Sequence, residues 1–409
     1  MIIYPRKKLD YSYTDLLAAM GCTIHPMLNK KKIIGDLKAM WSSEKSVVSF
    51  SVRTTFDALL HELDFPVGSE VIMTGINIPD MVHIVHAHGL QVVPIDMEIS
   101  TLQVQHEEIV RALSPRTVII VVAPLFGTHM DMDPVFEALK NHPEIIVVED
   151  CAQAFCGIEQ YLGDPRSDVS LFSFGSIKTA SALGCSLGRF KDQNLQTAIM
   201  KVLSGYEHRH RLGFAIRIIK YFFLKILSEP MIYGLFVTFS NIFKADYDAL
   251  IISAVRNFNT DELLGQIRIQ PCLSQLAFLR YRLKSIHNDH LKGRIDAGNY
   301  VQGHLNDSLN VYGSGNKTHT YWLFPVRCSD RKTLIKELIT HGFDATYTST
   351  QLQAITPDMD IHSEPPNCTK YMAETVYLPV HDGIPSWKLE KLIAVVNSIP
   401  KRAHQIEPI

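Results

Sequence analysis

Two short stretches of the chain hold the side chains best suited to chemistry. "EIIVVEDCAQAF" runs an apolar, strand-like segment into Glu149 and Asp150, with Gln153 three residues beyond Asp150. "SLFSFGSIKTASALG" ends a second such segment at Ser173 and sets Lys178 five residues further on, among small residues. A carboxylate at the end of a buried strand is placed to hold a cationic ring nitrogen, and an amide nearby can face the same ring. A lysine in a strand-end pocket loses its proton more readily, because burial disfavours the charged form. As a neutral amine it can form a Schiff base with an aldehyde. An acid for a pyridine nitrogen and an amine for an aldehyde are what pyridoxal phosphate requires. The same two residues also read as a plain salt bridge, and an acid at a strand end is often structural.

The phosphate of such a cofactor needs its own cradle. The helix expected to start near Thr54 and Thr55 offers outward-pointing backbone N–H groups. Ser173 adds a hydroxyl and Arg53 a charge-assisted contact. Thr54 to Asp57 also fits a capping box, a structural use for that threonine. Other apparent motifs are weaker. "GSGNKT" departs from the phosphate-loop pattern because Asn316 separates Gly315 from Lys317. Asp131 and Asp133 imitate a metal-holding pair, yet Asp133 before Pro134 reads as a helix cap. His83, His86 and His88 have partial ligand spacing without a matching Cys, Asp or Glu signature, so no metal is expected.

The elements that position these residues follow from hydrophobic periodicity. "VVSF", "EVIMT", "LQVVPID", "RTVIIVVAP" and "EIIVVED" read as short buried strands, separated by amphipathic stretches such as Thr55 to Leu63. Their alternation predicts an α/β fold with a mostly parallel central sheet flanked by helices. Ligands of such sheets sit at the carboxyl ends of the strands. From Tyr206 to Phe243 the chain turns apolar and basic, with Pro230 expected to break it into two helices. Beyond it, "YWLFPVRCSD", "RKTLIKELITHGF", "TVYLPVHD" and "SWKLEKLIAVVNSI" predict a smaller α+β domain. The expected organisation is an N-terminal segment (1–45), a large domain (46–282) and a small C-terminal domain (283–409).

Composition narrows the class. The 409 residues carry a formal net charge of −2, which argues against a general nucleic-acid binder. The seven cysteines are dispersed, with no C-x-x-C pair, and fit a reducing cytoplasm. "MIIYPRKKLD" lacks the apolar core of a signal peptide. No apolar run reaches the roughly eighteen residues of a transmembrane helix.

With these residues in place, the chain resembles the DegT/DnrJ/EryC1/StrS (sugar) aminotransferases, fold-type I pyridoxal-phosphate enzymes. The resemblance rests on "GSEVIMTGINIPDMVHIVHAHGLQVVPID", "ALSPRTVIIVVAPLFGTHMDMDPV", "VVEDCAQAF" and "SLFSFGSIKTASALGCSLG", in that order. "LFPVRCSDRKTLIKELITHGFDAT" and "VYLPVHDGIPSWKLEKLIAVV" resemble the family's C-terminal domain. It implies that Lys178 bonds the cofactor and moves the substrate proton, that Asp150 pairs with the pyridine nitrogen and that Gln153 lies beside the ring hydroxyl. Ser173, Thr54 and Thr55 would hold the phosphate. Some family members have histidine in place of this lysine and dehydrate sugars; lysine favours transamination. The implied reaction moves an amino group from an amino acid, glutamate foremost, to a keto-sugar, typically nucleotide-linked, in a cytoplasmic homodimer serving glycan or secondary-metabolite synthesis.

The chain also departs from the family pattern. Val52-Arg53-Thr54-Thr55 replaces the usual small residues at the phosphate helix, Ile78 stands where an aromatic residue usually stacks on the ring, and Gly184-Cys185 replaces a glycine pair. Arg268 lies near the place of an arginine that reaches a neighbouring subunit's phosphate. Residues 206–243 make a connection about twice the usual length; their basic amphipathic character suits a membrane interface, a subunit interface or a core cover. Two alternatives stay open: other pyridoxal-phosphate chemistry on an amphiphilic or lipid-linked substrate, and a non-catalytic regulatory protein.

Overall fold

A computed structural model describes residues 2–25, 28–41, 44–255, 262–286, 288–306, 311–348, 351–359 and 363–399. The expected buried strands form β1 (Ser46–Ser49), β2 (Glu70–Thr74), β4 (Gln91–Ile95), β5 (Thr117–Val122) and β6 (Ile146–Asp150), with a short β3 (Ile76–Asn77) between β2 and β4. β7 (Val169–Ser173) and β8 (Ser186–Phe190) complete a seven-stranded sheet in the order β1-β8-β7-β6-β5-β2-β4. Neighbours from β7 to β4 run parallel, and β8 runs antiparallel to both β7 and β1. The β-branched runs that signal these strands are buried on both faces. Successive residues alternate between two cores: Ile119 and Val121 join one, Ile120 and Val122 the other. β6 and β7 pair with Asp150 opposite Leu171, so Asp150 and Ser173 leave the sheet at the same edge.

The helices are α1 (Tyr13–Ile24), α2 (Lys30–Met40), α3 (Val52–Leu63), α4 (Pro79–Ala87), α5 (His106–Ala112), α6 (Asp133–Ala138), α7 (Gln193–Ser204), α8 (Arg211–Leu227), α9 (Pro230–Ile242) and α10 (Tyr247–Val255). α1 and α2 bury Leu16, Leu37 and Trp41 in one core with Phe172 of β7 and Phe278 of the helix Leu273–Ser285. The N-terminal segment is thereby stitched to the sheet, and that last helix runs through residue 282 without a break. The strands Phe324–Arg327 and Thr375–Leu378 pair antiparallel and share a separate core with the helices Arg331–Thr340 and Ser386–Ser398.

Pro230 opens α9, and the α8–α9 pair bends by 88° at the break. Among the described residues no single helix is long and apolar enough to cross a membrane; the bent pair passes that test only together, by length and composition. Asp133 differs from its expected capping role. Met132 is the cap position, and the Asp133 carboxylate pairs with Arg166 at 2.7 Å instead. His86 and His88 are likewise paired internally, with Asp358 at 2.7 Å and Asp57 at 3.0 Å.

Candidate active site

A cavity opens at the carboxyl edge of β6 and β7. Asp150, Gln153, Ser173, Lys178, Arg53 and Ile78 all line it. Asp150 ends β6 with its carboxylate buried, and its Oδ1 accepts the Ala152 N–H at 3.1 Å. Burial pushes its pKa up, against the pull of that N–H, Lys178 and Arg53. The Lys178 ammonium is pushed down to about 7 by desolvation, which outweighs the stabilising charge of Asp150. A protonated ring nitrogen at Asp150 would give this carboxylate the cation its burial calls for. Gln153 Oε1 accepts the Phe126 N–H at 2.8 Å, which fixes the amide and turns its NH2 into the available donor. Ile78 lines the cavity beside Met81 and Ala152, an aliphatic surface for one face of a ring.

The lysine loop is held in a demanding conformation. Lys178 N–H donates to Gly175 O at 3.0 Å, and the N–H groups of Ala182 and Gly184 both reach Phe174 O at 3.0 Å. Ala180, Leu183 and Cys185 have φ of 56°, 57° and 72°. Left-handed backbone at a non-glycine residue costs about 1 kcal/mol or more, so packing must impose it. All three side chains are buried. At Gly184 only glycine fits: a Cβ would lie 2.2 Å from Gln275 Nε2.

The phosphate end is arranged differently from the sequence expectation. Ser51, not Thr54 or Thr55, caps α3, its Oγ accepting the Thr54 N–H at 3.2 Å. The helix thus begins at Val52, which places both threonines on its inward face. Thr54 Oγ1 donates to Ile267 O at 2.8 Å, and Thr55 Oγ1 shares a hydrogen bond with Ser49 Oγ at 2.7 Å. Both hydroxyls are buried and committed, and neither threonine is brought to the cavity. A second cavity at the start of α3 is lined by Ser51, Arg53, Ser173, Gly175, Arg209 and Arg217. Burial and the neighbouring Arg217 charge hold Arg209 below the usual guanidinium range. Arg53 is paired with Asp80 at 2.7 Å. The helix N-terminus, two hydroxyls and converging guanidinium groups form a cradle suited to a phosphate. Arg268 lies elsewhere: its guanidinium makes two 2.9 Å bonds to Asp57 of its own chain, and Asp57 is held down at about 2 against its burial by His88 and Arg268.

These residues fit pyridoxal phosphate at both ends, carboxylate and lysine at the ring and cations at the phosphate. The comparisons agree with that architecture. The sequence model of the DegT/DnrJ/EryC1/StrS aminotransferase family matches residues 36–203. The match spans less than half of the chain.

L-glutamine:2-deoxy-scyllo-inosose aminotransferase of Micromonospora echinospora is 36% identical over 114 residues, 28% of this chain and 25% of that protein. The match thus spans about a quarter of that relative's length. dTDP-3-amino-3,6-dideoxy-alpha-D-galactopyranose transaminase of Aneurinibacillus thermoaerophilus is 24% identical over 85% of this chain and 84% of its own. Among solved structures, the E. coli GDP-4-keto-6-deoxy-D-mannose-3-dehydratase with bound hydrated PLP superposes with a TM-score of 0.70 at 14% identity, covering 97% of this chain and all 100% of that one. The sugar aminotransferase CalS13 from Micromonospora echinospora gives 0.68 at 16% identity, covering 98% and 100%. The whole chain therefore has the fold of the sugar aminotransferases and this dehydratase.

The family region carries Asp150, Gln153, Ser173 and Lys178, whereas α8, α9 and α10 follow it in the chain. Several site residues escaped the sequence reading. The Trp322 ring lies under two amines, with Lys178 Nζ at 4.1 Å and Lys7 Nζ at 3.6 Å from its centroid. Its Nε1 donates to Ile177 O at 3.0 Å, which clamps the lysine loop. Lys7, Trp322 and the Arg209–Arg217 pair come from segments far from the motif, and no local pattern marks them. Ser51 was readable in principle, since "SVRTTFD" offers three capping hydroxyls.

Proposed function

We propose that this chain is a pyridoxal-phosphate aminotransferase that moves an amino group from an amino acid to a carbonyl acceptor. The observation that carries the reading is Lys178, enclosed, titrating near neutrality and facing the same cavity as the buried Asp150. When bound, the cofactor supplies an aldehyde and a ring that takes up electrons. Lys178 supplies the amine for that aldehyde and carries the proton from the donor's α-carbon, a task suited to a group with pKa near the working pH. Asp150 holds a proton on the ring nitrogen. Gln153 donates to the ring hydroxyl oxygen. Ser173 and the first N–H groups of α3 bind the phosphate, with Arg209 and Arg217 supplying charge, while the Ser51 hydroxyl stays with Thr54 as the helix cap.

The name of one relative supports glutamine as donor and a cyclitol ketone as acceptor, and that of another a nucleotide-linked sugar; we add glutamate as a donor and glycan or secondary-metabolite synthesis as the setting. We place the enzyme in the cytoplasm as a homodimer, with the bent α8–α9 pair against the inner membrane face.

Spectroscopy tests the reading. Wild-type protein incubated with pyridoxal phosphate should show a visible absorbance band that shifts on addition of glutamate, and Lys178→Ala should lose both the band and turnover. Full turnover in Lys178→Ala would sink the assignment.

A further inference from the structure

Much of the lining of the cavity that holds Lys178 is hydrocarbon. α8 contributes Tyr221, Leu224 and Leu227, α9 contributes Phe236, and α10 contributes Ile251 and Ile252. Three polar side chains here, Ser228, Tyr233 and Arg6, already have partners inside the protein. Ser228 Oγ donates to Lys225 O at 2.7 Å. Tyr233 OH donates to Asp344 Oδ2 at 2.6 Å. Arg6, which also lines the cavity, spends its guanidinium on the same Asp344, at 2.7 and 2.9 Å, and on Asp248. A nucleoside diphosphate or a row of sugar hydroxyls laid against these aliphatic side chains would lose water and find few matching donors or acceptors. A hydrocarbon chain would gain by leaving water there.

We infer that the acceptor carries its carbonyl on a hydrocarbon chain, or on a small head group bearing one, and that α8, α9 and α10 form the chamber that holds the chain. This rests on the aminotransferase reading for the reaction, but not for the binding. In the reaction, the acceptor's carbonyl carbon gains the amino nitrogen and two electrons, and its oxygen leaves as water. The donor's α-carbon loses the nitrogen and two electrons and takes its oxygen from water. The amphiphile presents its carbonyl toward Lys178, with its chain lying along Leu224, Leu227, Phe236 and Ile251.

The test has a binding arm and a turnover arm. In the first, 11-(dansylamino)undecanoic acid is bound to the cofactor-loaded protein and displaced by straight-chain 2-alkanones of increasing length. Affinity should rise by about fourfold per methylene until the chamber is full. Leu224→Trp, which fills the chamber without opening a cavity, should shift the best chain length downward; Leu224→Gln with Ile251→Asn should flatten the series. In the second arm, glutamate-treated enzyme is offered the alkanones and alkyl glycosides of a 4-keto-hexose, which separates a simple alkyl ketone from a chain-bearing keto-sugar. A flat chain-length series in wild type, or a nucleotide-linked 4-keto-sugar displacing the probe better than any chain-bearing carbonyl, would overturn the inference. Absence of any absorbance change with glutamate would instead count against the aminotransferase reading, while the displacement series still reports on the chamber.

Discussion

Lys178 without cofactor is a cation held where water solvates it poorly. Its folded pKa of about 7 lies below the ordinary lysine value of 10.5. Between those values the unfolded chain binds the proton and the folded chain does not, so stability rises with pH across that window. Below about pH 7 both states are protonated and the folded state carries the full desolvation penalty. Lys178→Met removes this contribution and changes little else. Cofactor-free Lys178→Met should therefore melt higher than wild type at pH 6.5. The gap should narrow by up to about 1.4 kcal/mol per pH unit toward pH 10. A gap that stays constant with pH, measured by thermal melts of both proteins, would show that the amine is not desolvated. The sequence disclosed this residue because Asp150, Ser173 and Lys178 sit at fixed offsets from apolar runs, and a strand-end position follows from the run itself. It concealed the orientation of Thr54 and Thr55. Three hydroxyls compete to cap one helix, and a start three residues earlier turns both threonines inward.

α3 and α8 both line the phosphate cradle, the first with its N-terminal residues and the second with Arg217. The first N–H groups of a helix with a nearby guanidinium bind a phosphate through charge-assisted bonds, each worth about 1.5–3 kcal/mol. Arg217→Met keeps the aliphatic length of the side chain and removes its charge. It should weaken pyridoxal phosphate binding roughly 10- to 100-fold by fluorescence titration. The melting temperature of the cofactor-free protein should change little, because a half-buried side chain is replaced by an apolar one of similar length. Equal losses in cofactor affinity and in cofactor-free stability would mark Arg217 as a packing residue. The strands themselves were legible, since five apolar runs became five strands of the sheet with only their ends moved. Arg217 was legible only as one cation of a basic amphipathic helix. Which side of α8 faces the cradle depends on packing between segments distant in the chain, which periodicity does not encode.

Across the whole molecule, the α8–α9 pair presents hydrocarbon on two sides. Phe214, Ile218 and Tyr221 are buried, yet Ile216, Phe223, Leu235, Phe239 and Phe243 are exposed, Phe243 by 78% and Phe223 by 63%. An exposed apolar patch of this kind marks an interaction surface. The charge around it selects the partner: Lys220 and Lys244 are exposed beside the patch, and Glu229 is the one acidic residue between Arg209 and Lys244. An apolar face rimmed by lysines is the pattern of a helix lying in an anionic membrane interface, where each basic residue near the surface adds about 1 kcal/mol. The same two helices also line the cavity that holds Lys178. Wild-type protein should co-sediment with phosphatidylcholine–phosphatidylglycerol vesicles, less well with phosphatidylcholine alone and less well at high salt. Phe223→Ser with Phe239→Ser should abolish sedimentation. Lys220→Glu should weaken it only on anionic vesicles, and neither change should alter the glutamate-induced absorbance shift, because these side chains point away from the cavity. A double variant that still sediments would overturn the membrane contact, and one that changes only the oligomeric state in light scattering would assign the face to a second copy of the chain instead.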